Sequence, residues 1–160
     1  MKKAIVVYYS YEGSTEKVAK LIAKTIGVEA HAIKPVKEMK YKGFLKFFIG
    51  GMNVVLGKKP KIQPIDIDFN KYDLIFLGSP IWAGTFAPPI KTFIESNIFA
   101  NKKIAYFYCN EGGAKNASEK AKPSIEKNNK LIATLDCANV IKNWNTLSKS
   151  IIKWAQDITK

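Results

Sequence analysis

Three short segments carry residue types that hold ligands. The first, Ser10-Tyr11-Glu12-Gly13-Ser14-Thr15, follows an apolar run and leads straight into a stretch of helical period. Hydroxyls, backbone N–H groups not yet used by a helix, and a glycine able to turn tightly would together cradle a phosphate at the positive end of that helix. An ordinary cap, with Ser14 or Thr15 as the capping residue, uses the same side chains, so this loop alone leaves both readings open. The second, Gly78-Ser79-Pro80-Ile81-Trp82-Ala83-Gly84-Thr85, is stiffened by its proline and offers a flat, polarizable indole at a strand end. Packing of Trp82 on neighbouring helix residues is the competing role. The third, Asn110-Glu111-Gly112-Gly113, has glycines that let backbone approach a planar ring and present N–H groups to its oxygens; a flexible turn would read the same way.

The spacing excludes two other phosphate sites, since neither G-x-G-x-x-G nor G-x-x-x-x-G-K-[ST] occurs. Dinucleotide binding and P-loop hydrolysis are disfavoured accordingly. A phosphate held with no lysine hook and no magnesium points to a mononucleotide monophosphate such as FMN, bound and not turned over. No residue stands out as an acid or base. His31 lies in an expected strand away from every motif and reads as structural or surface. Cys109 and Cys137 form no C-x-x-C pair and are too few to staple a chain of 160 residues, which predicts a reducing, cytosolic setting.

The elements that must position these loops follow from periodicity. Apolar runs at Ala4 to Tyr9, Val28 to Ile33, Leu74 to Gly78, Ile104 to Cys109 and Leu131 to Cys137 alternate with helical segments, the pattern of parallel βαβ units. Val18, Leu21, Ile22 and Ile26 mark one face of a helix that Gly27 ends. Pro88 and Pro89 suit the first turn of another, with Ile90, Phe93, Ile94 and Ile98 as its apolar face. Pro123 is expected to kink or split a helix after Gly113. Trp144, Leu147, Ile151, Trp154, Ala155 and Ile158 form a last stripe that covers one sheet face. The near-continuous apolarity of the runs from Ala4, Leu74 and Ile104 predicts strands buried on both faces. Between Lys34 and Gln63, lysines at 37, 40, 42, 46, 58, 59 and 61 surround Phe44, Leu45, Phe47, Phe48, Gly50 and Gly51; that length predicts a helix and a functional loop. Residues 1–160 are read as one domain, with no repeat, no membrane span, and an N-terminal apolar run too short for a signal peptide.

A formal charge of +13 is the unusual bulk property, and it invites an acidic partner, an anionic surface or nucleic acid. All 26 basic residues are lysine. Without the bidentate fork of arginine, sequence-specific nucleic-acid recognition is disfavoured. A compositional bias toward Lys, Ile and Asn would give the same charge with no ligand behind it.

Taken together, the three loops resemble the flavodoxin family over nearly the whole chain. S-Y-E-G-S-T from Ser10 to Thr15 is similar to that family's phosphate loop, and G-S-P-I-W-A-G from Gly78 to Gly84 to its first isoalloxazine loop. The resemblance implies an α/β fold of three layers, a doubly wound five-stranded parallel sheet in the order 2-1-3-4-5, and non-covalent FMN at the switch point of strand order. It assigns Ser10, Tyr11, Glu12 through its backbone, Gly13, Ser14 and Thr15 to the phosphate side. Ser79 is counted among the cofactor-binding residues; Trp82 and the backbone of Pro80, Ile81, Trp82, Ala83 and Gly84 go to the ring, and Asn110, Glu111, Gly112 and Gly113 to its pyrimidine side. The chain looks like the short type, and F-F-I-G-G from Phe47 to Gly51 is closer to uncharacterised flavin proteins and quinone-reductase relatives than to dedicated carriers.

The chain also departs from the family. Glu12 stands where the family often has threonine, the third loop lacks the tyrosine that commonly covers the outer flavin face, and family carriers are usually acidic. Three functions compete: an electron-transfer flavodoxin working with a redox partner protein, itself acidic if charge sets the pairing; an FMN-dependent NAD(P)H:quinone-type oxidoreductase, with Phe44 to Leu56 walling a pocket over the flavin; and a basic nucleic-acid-binding module. Receiver-type signalling needs acidic residues where this chain has Ser10 and Ser79.

Overall fold

β-Branched and aromatic side chains dominate the strand runs, and in the computed structural model, which describes residues 3–38, 44–114 and 116–160, they form the strands of one sheet. The strands are β1 (Ala4–Tyr8), β2 (Ala30–Ala32), β3 (Leu74–Trp82), β4 (Thr85–Phe86), β5 (Lys103–Asn110) and β6 (Lys130–Ala138). The helices are α1 (Ser14–Ile26), α2 (Phe44–Val55), α3 (Pro88–Glu95), α4 (Ala117–Glu126) and α5 (Trp144–Thr159). The sheet path is β2-β1-β3-β5-β6, every neighbour on it parallel, with β4 off the path and antiparallel to β3. The expected order 2-1-3-4-5 therefore differs by one strand. A two-residue hairpin arm, too short to leave a period in the sequence, takes the fourth place in the chain; without it the five parallel strands follow the expected path.

β1 is buried throughout, as are the first six residues of β3 and Ile104 to Cys109 of β5, so these strands contact side chains on both faces. On one face Val6, Tyr8, Phe76 and Phe107 pack with Val18 and Ile22 of α1 and Ile151 of α5. On the other, Ile5, Val7, Ile75, Leu77 and Tyr106 pack with Ile90 and Phe93 of α3 and Ala117 and Ile125 of α4. β6 alternates exposed and half-buried residues until Cys137, as an edge strand must.

Helix ends follow local chemistry. Gly27 closes α1 in the left-handed region at φ 69°, its N–H donating to the Ala23 carbonyl. α3 starts on the two prolines but stops at Glu95, so Ile98, expected on its apolar face, is 46% exposed. α4 runs unbroken through Pro123 against the expected split; Pro123 and Glu119, whose carbonyl it cannot bond, are both exposed, so water can satisfy that carbonyl. β2 is shorter than the run from Val28 to Ile33, and β3 continues four residues past Gly78. The stretch from Lys34 to Gln63 does contain a helix, α2; Lys40 and Lys42 lie outside the described residues, as do the side chains of Phe44, Leu45, Lys46, Phe47 and Phe48. His31 sits on β2 with Nε2 3.1 Å from Glu29 Oε2, the structural role expected.

Gly78 has the tightest surroundings of the described glycines. A Cβ there would lie 2.2 Å from Cζ and 2.5 Å from Cε2 of Phe107, a ring with no exposure in the core under α1 and α5. Gly78→Ala should therefore destabilise the protein by about 1–3 kcal/mol, the scale of an overpacked core. A urea midpoint within error of wild type would show that the sheet can yield there.

Candidate functional site

Because the five long-path strands are parallel, the loops that follow β1, β3, β5 and β6 leave the same end of the sheet. They enclose a cleft of about 690 Å³, within the range usual for small-molecule and cofactor sites. β1 lies between β2 on one side and β3 on the other, so the cleft opens where the chain reverses its direction across the sheet. All the residues proposed from sequence line it except Gly13 and Ser79.

Gly13 shapes the first loop without lining the cleft. At φ 96° it adopts a backbone that side chains rarely tolerate; its N–H donates to Ser10 Oγ over 3.1 Å, and its carbonyl accepts from Lys17 N–H at 2.9 Å to open α1. Gly13 is thus the cap residue, and no side chain caps α1. Ser14 and Thr15 are therefore not caps but belong to the first helical turn, whose N–H groups have no partner within the helix. Both line the cleft, and Thr15 is only 1% exposed. Donors gathered at an uncapped helix start, on a corner that only glycine makes easily, fit a terminal phosphate.

The second loop is a hairpin. Trp82 pairs with Thr85 and Ile81 with Phe86, leaving Ala83 and Gly84 as a two-residue turn with φ 47° and 77°. Positive φ at both central positions is the type I′ geometry, which matches the twist of the flanking strands and costs Ala83 about 1–2 kcal/mol. The hairpin projects Trp82 between Tyr9 and Tyr11, each meeting it edge-on at ring centroid distances of 5.9 and 5.7 Å. Gly50 of α2 backs the indole, since a Cβ on Gly50 would be 3.4 Å from it. Trp82 therefore does pack on a helix residue and also lines the cleft. Ser79 lies beneath, fully buried: its Oγ accepts the Ala87 N–H at 2.9 Å and donates to the Pro80 carbonyl at 2.8 Å. It ties the hairpin to the start of α3 and, although expected among the cofactor-binding residues, does not line the cleft.

The third loop is held by Asn110. Its Oδ1 accepts the Gly112 N–H at 2.8 Å, its Nδ2 donates to Asp136 Oδ1 at 2.7 Å, and its carbonyl accepts the Asn139 N–H at 2.7 Å. The Gly112 N–H expected to face a ring oxygen is already used within the loop, which leaves Gly113, at φ 84°, as the more available glycine. Glu111 and Glu12 are exposed cleft residues.

Sequence reasoning missed the fourth wall, Asn139, Val140, Ile141 and Lys142, together with Cys109 and Ala114. The signal was available: a fifth parallel strand sends its following loop to the same end as the others. Ile141 is 78% exposed, an apolar side chain at the edge of a cleft, and Lys142 adds a cation. A second lysine, Lys120 of α4, reaches the hairpin, its Nζ 2.8 Å from where a Cβ on Gly84 would stand. Cys109 and Cys137 are directly opposed on β5 and β6, and a hydrogen bond to Cys109 together with burial pushes the Cys137 thiol up, so it stays protonated. Burial likewise raises the Tyr9 phenol. Among the described residues no group of metal-ligating side chains gathers. Apolar and aromatic walls and an uncapped helix start suit a site that holds a planar group and its phosphate.

Comparison with known proteins agrees with this geometry. The family model for flavodoxin matches residues 51–148. A flavoprotein from Lactobacillus acidophilus NCFM, solved in complex with FMN, is 28% identical over 91% of this chain and 100% of its own, with a TM-score of 0.74. A chain from Bacteroides eggerthii DSM 20697, provisionally classed as a flavoprotein, is 21% identical and shares the fold at a TM-score of 0.83 over 100% and 99% of the two chains. An NADH:FMN oxidoreductase in its apo form shares the fold at 14% identity and a TM-score of 0.60, over 97% of this chain and 87% of that one. No curated relative matches the chain. With the model covering more than half of its residues, and the sheet path and switch-point cleft in place, the chain belongs to the flavodoxin family.

Proposed function

We propose that this protein holds one FMN in the cleft and passes electrons through it. The observation that carries the reading is the single cleft joining an uncapped helix start at Ser14 and Thr15 to the aromatic wall of Trp82, at the point where strand order reverses. FMN, when bound, supplies one- and two-electron chemistry; the protein supplies orientation and electrostatics. Ser10, Ser14, Thr15 and the backbone around Gly13 would hold the phosphate. Pro80 to Gly84, with Trp82 foremost, would border the ring, and Gly113 with the loop from Asn139 to Lys142 would close the opposite side. The hairpin turn of Ala83 and Gly84 keeps that wall stiff. The relative from Lactobacillus acidophilus, solved with FMN, supports the cofactor.

A plain electron carrier working with an acidic partner protein suits the lysine-rich surface. An oxidoreductase acting on a small quinone-like acceptor is favoured by one observation: α2, which carries the I-G-G of Ile49 to Gly51, packs on Trp82 through Gly50 and so stands beside the cleft. NAD(P)H consumption with a quinone separates the two, since a carrier alone shows none.

The purified protein should carry FMN and not FAD, as read by mass spectrometry of the released cofactor; FAD, or no flavin after reconstitution, would remove the proposal. Trp82→Ala should weaken FMN binding by about 1 kcal/mol or more, the scale of an aromatic contact, and binding should quench the Trp82 fluorescence of the wild type. Unchanged affinity in the variant would give that place to another aromatic ring.

Charge sets a further expectation. Glu12 and Glu111 are offset at the cleft by Lys142 and, on the hairpin, by Lys120, within a chain of net charge +13. A cationic field favours the extra negative charge of a reduced flavin, so the more reducing one-electron couple should be less negative than in acidic flavodoxins. Added salt screens the field, and the couple should move to more negative values as salt rises. Spectroelectrochemical titration at low and high salt reads both; a couple as low as in acidic flavodoxins, with no salt response, rules this out.

A further inference from the structure

A second cavity of about 270 Å³ is walled by Tyr9, Trp82, Pro35, Pro60, Pro88 and Pro89. Lys37, Asn53, Lys58 and Lys59 supply its polar atoms; among the described residues no acidic side chain lines it, while the Glu38 carboxylate stands near enough to Tyr9 to help, after burial and Tyr11, push its phenol up. Among the described residues, Trp82 is the one that lines both this cavity and the cleft, so the two spaces meet at its side chain.

The cavity is held open by contacts that owe nothing to a ligand. Pro35 bridges to Ile62, the Val36 N–H donates to the Lys61 carbonyl at 2.8 Å, and the Gln63 N–H donates to the Lys34 carbonyl at 2.7 Å. Thr92 Oγ1 donates to the Pro60 carbonyl at 2.9 Å, and Lys59 pairs with Glu95, so the segment around Pro60 is fastened to α3 at two points. Four proline rings and two aromatic rings give flat, stiff apolar walls with little rotamer freedom to lose on binding. The start of α3 is a poor anion site, because Pro88 and Pro89 fill its first positions and have no N–H. Among the lining side chains the cations that can meet a negative group are lysines, and Lys37 and Lys58, both exposed, are available to do so.

We propose that this cavity is a second binding site, specific for a planar, bicyclic-sized aromatic compound carrying one anionic group, with the ring between the prolines and Trp82 and the anion at Lys37 and Lys58. Its occupant would share Trp82 with whatever fills the cleft. The site stands on its own lining and does not depend on the cleft holding FMN.

Naphthalene-2-sulfonate tests the site against its neutral isostere naphthalene-2-sulfonamide; neither exchanges electrons, so binding alone is read. Calorimetric titration of FMN-saturated protein should show one site that prefers the sulfonate, with affinity that falls as salt rises for the sulfonate only. The double variant Lys37→Gln, Lys58→Gln should lose roughly tenfold in sulfonate affinity, as expected for two charge-assisted contacts, while sulfonamide affinity and FMN affinity hold. Amide shifts at Lys37, Asn53 and Lys58 and at the Trp82 indole N–H, without shifts at Gly113 or Asn139, would place the probe. The proposal is overturned by equal binding of the two probes, by an unchanged double variant, or, in the flavin-free chain, by displacement of the sulfonate on titration with FMN. Should the protein take no flavin, the same titration of the flavin-free chain still decides this site, while the reading of the cleft fails separately.

Discussion

Everything in this molecule hangs on the parallel hydrogen-bonded register of β1, β3 and β5. Tyr8 pairs with Gly78 and Gly78 with Phe107, so the ends of three buried strands are held level to within a residue or two. Backbone groups buried on both faces have no partner but the neighbouring strand, and a slip would leave them unmade at about 1–3 kcal/mol each. The register is what brings loops more than sixty residues apart in sequence into a single cleft. Gly78 is its tightest clearance: only an absent side chain lets the Phe107 ring lie across the strand.

Trp82 shows how a fold places one side chain in two roles. Its position is set by a hairpin that carries Ala83 in the left-handed region, and such strain persists where the surroundings over-determine the backbone. Here the surroundings are Ser79, bonded both to the hairpin and to the start of α3, and the edges of Tyr9 and Tyr11. The indole is thereby held where it lines both cavities. A freely rotating tryptophan on the same loop would wall neither.

The lysine surplus acts differently near and far from the cleft. Lys17 lies 4.1 Å over the Trp144 ring and Lys20 pairs with Glu16, so part of the basic charge around α1 is absorbed by local partners. Lys142 and Lys120, by contrast, stand at the cleft and on its hairpin, where a charge within a Debye length is felt by a bound group. Net charge fixes the sign of the distant field; the placement of a few ammonium groups sets its strength at the site.

The sequence by itself determined the elements and the loops. Apolar runs of strand length, helical stripes such as Val18, Leu21, Ile22 and Ile26, and punctuation by Gly27 and Pro88 are local signals, because propensity, periodicity and backbone freedom act within a few residues. They located three of the four cleft loops and the alternation of a parallel α/β fold. Tertiary structure decided what depends on neighbours distant in the chain. The β4 arm exists only because Thr85 and Phe86 find β3, and Ile141 and Lys142 reach the cleft only because β6 lies beside β5. Ser79 and Ser10 look alike in sequence as hydroxyls at strand ends. Ser79 was drawn inward to satisfy the Ala87 N–H, while Ser10 was left at the cleft, holding Gly13, because a buried donor without a partner costs more than any local preference can recover.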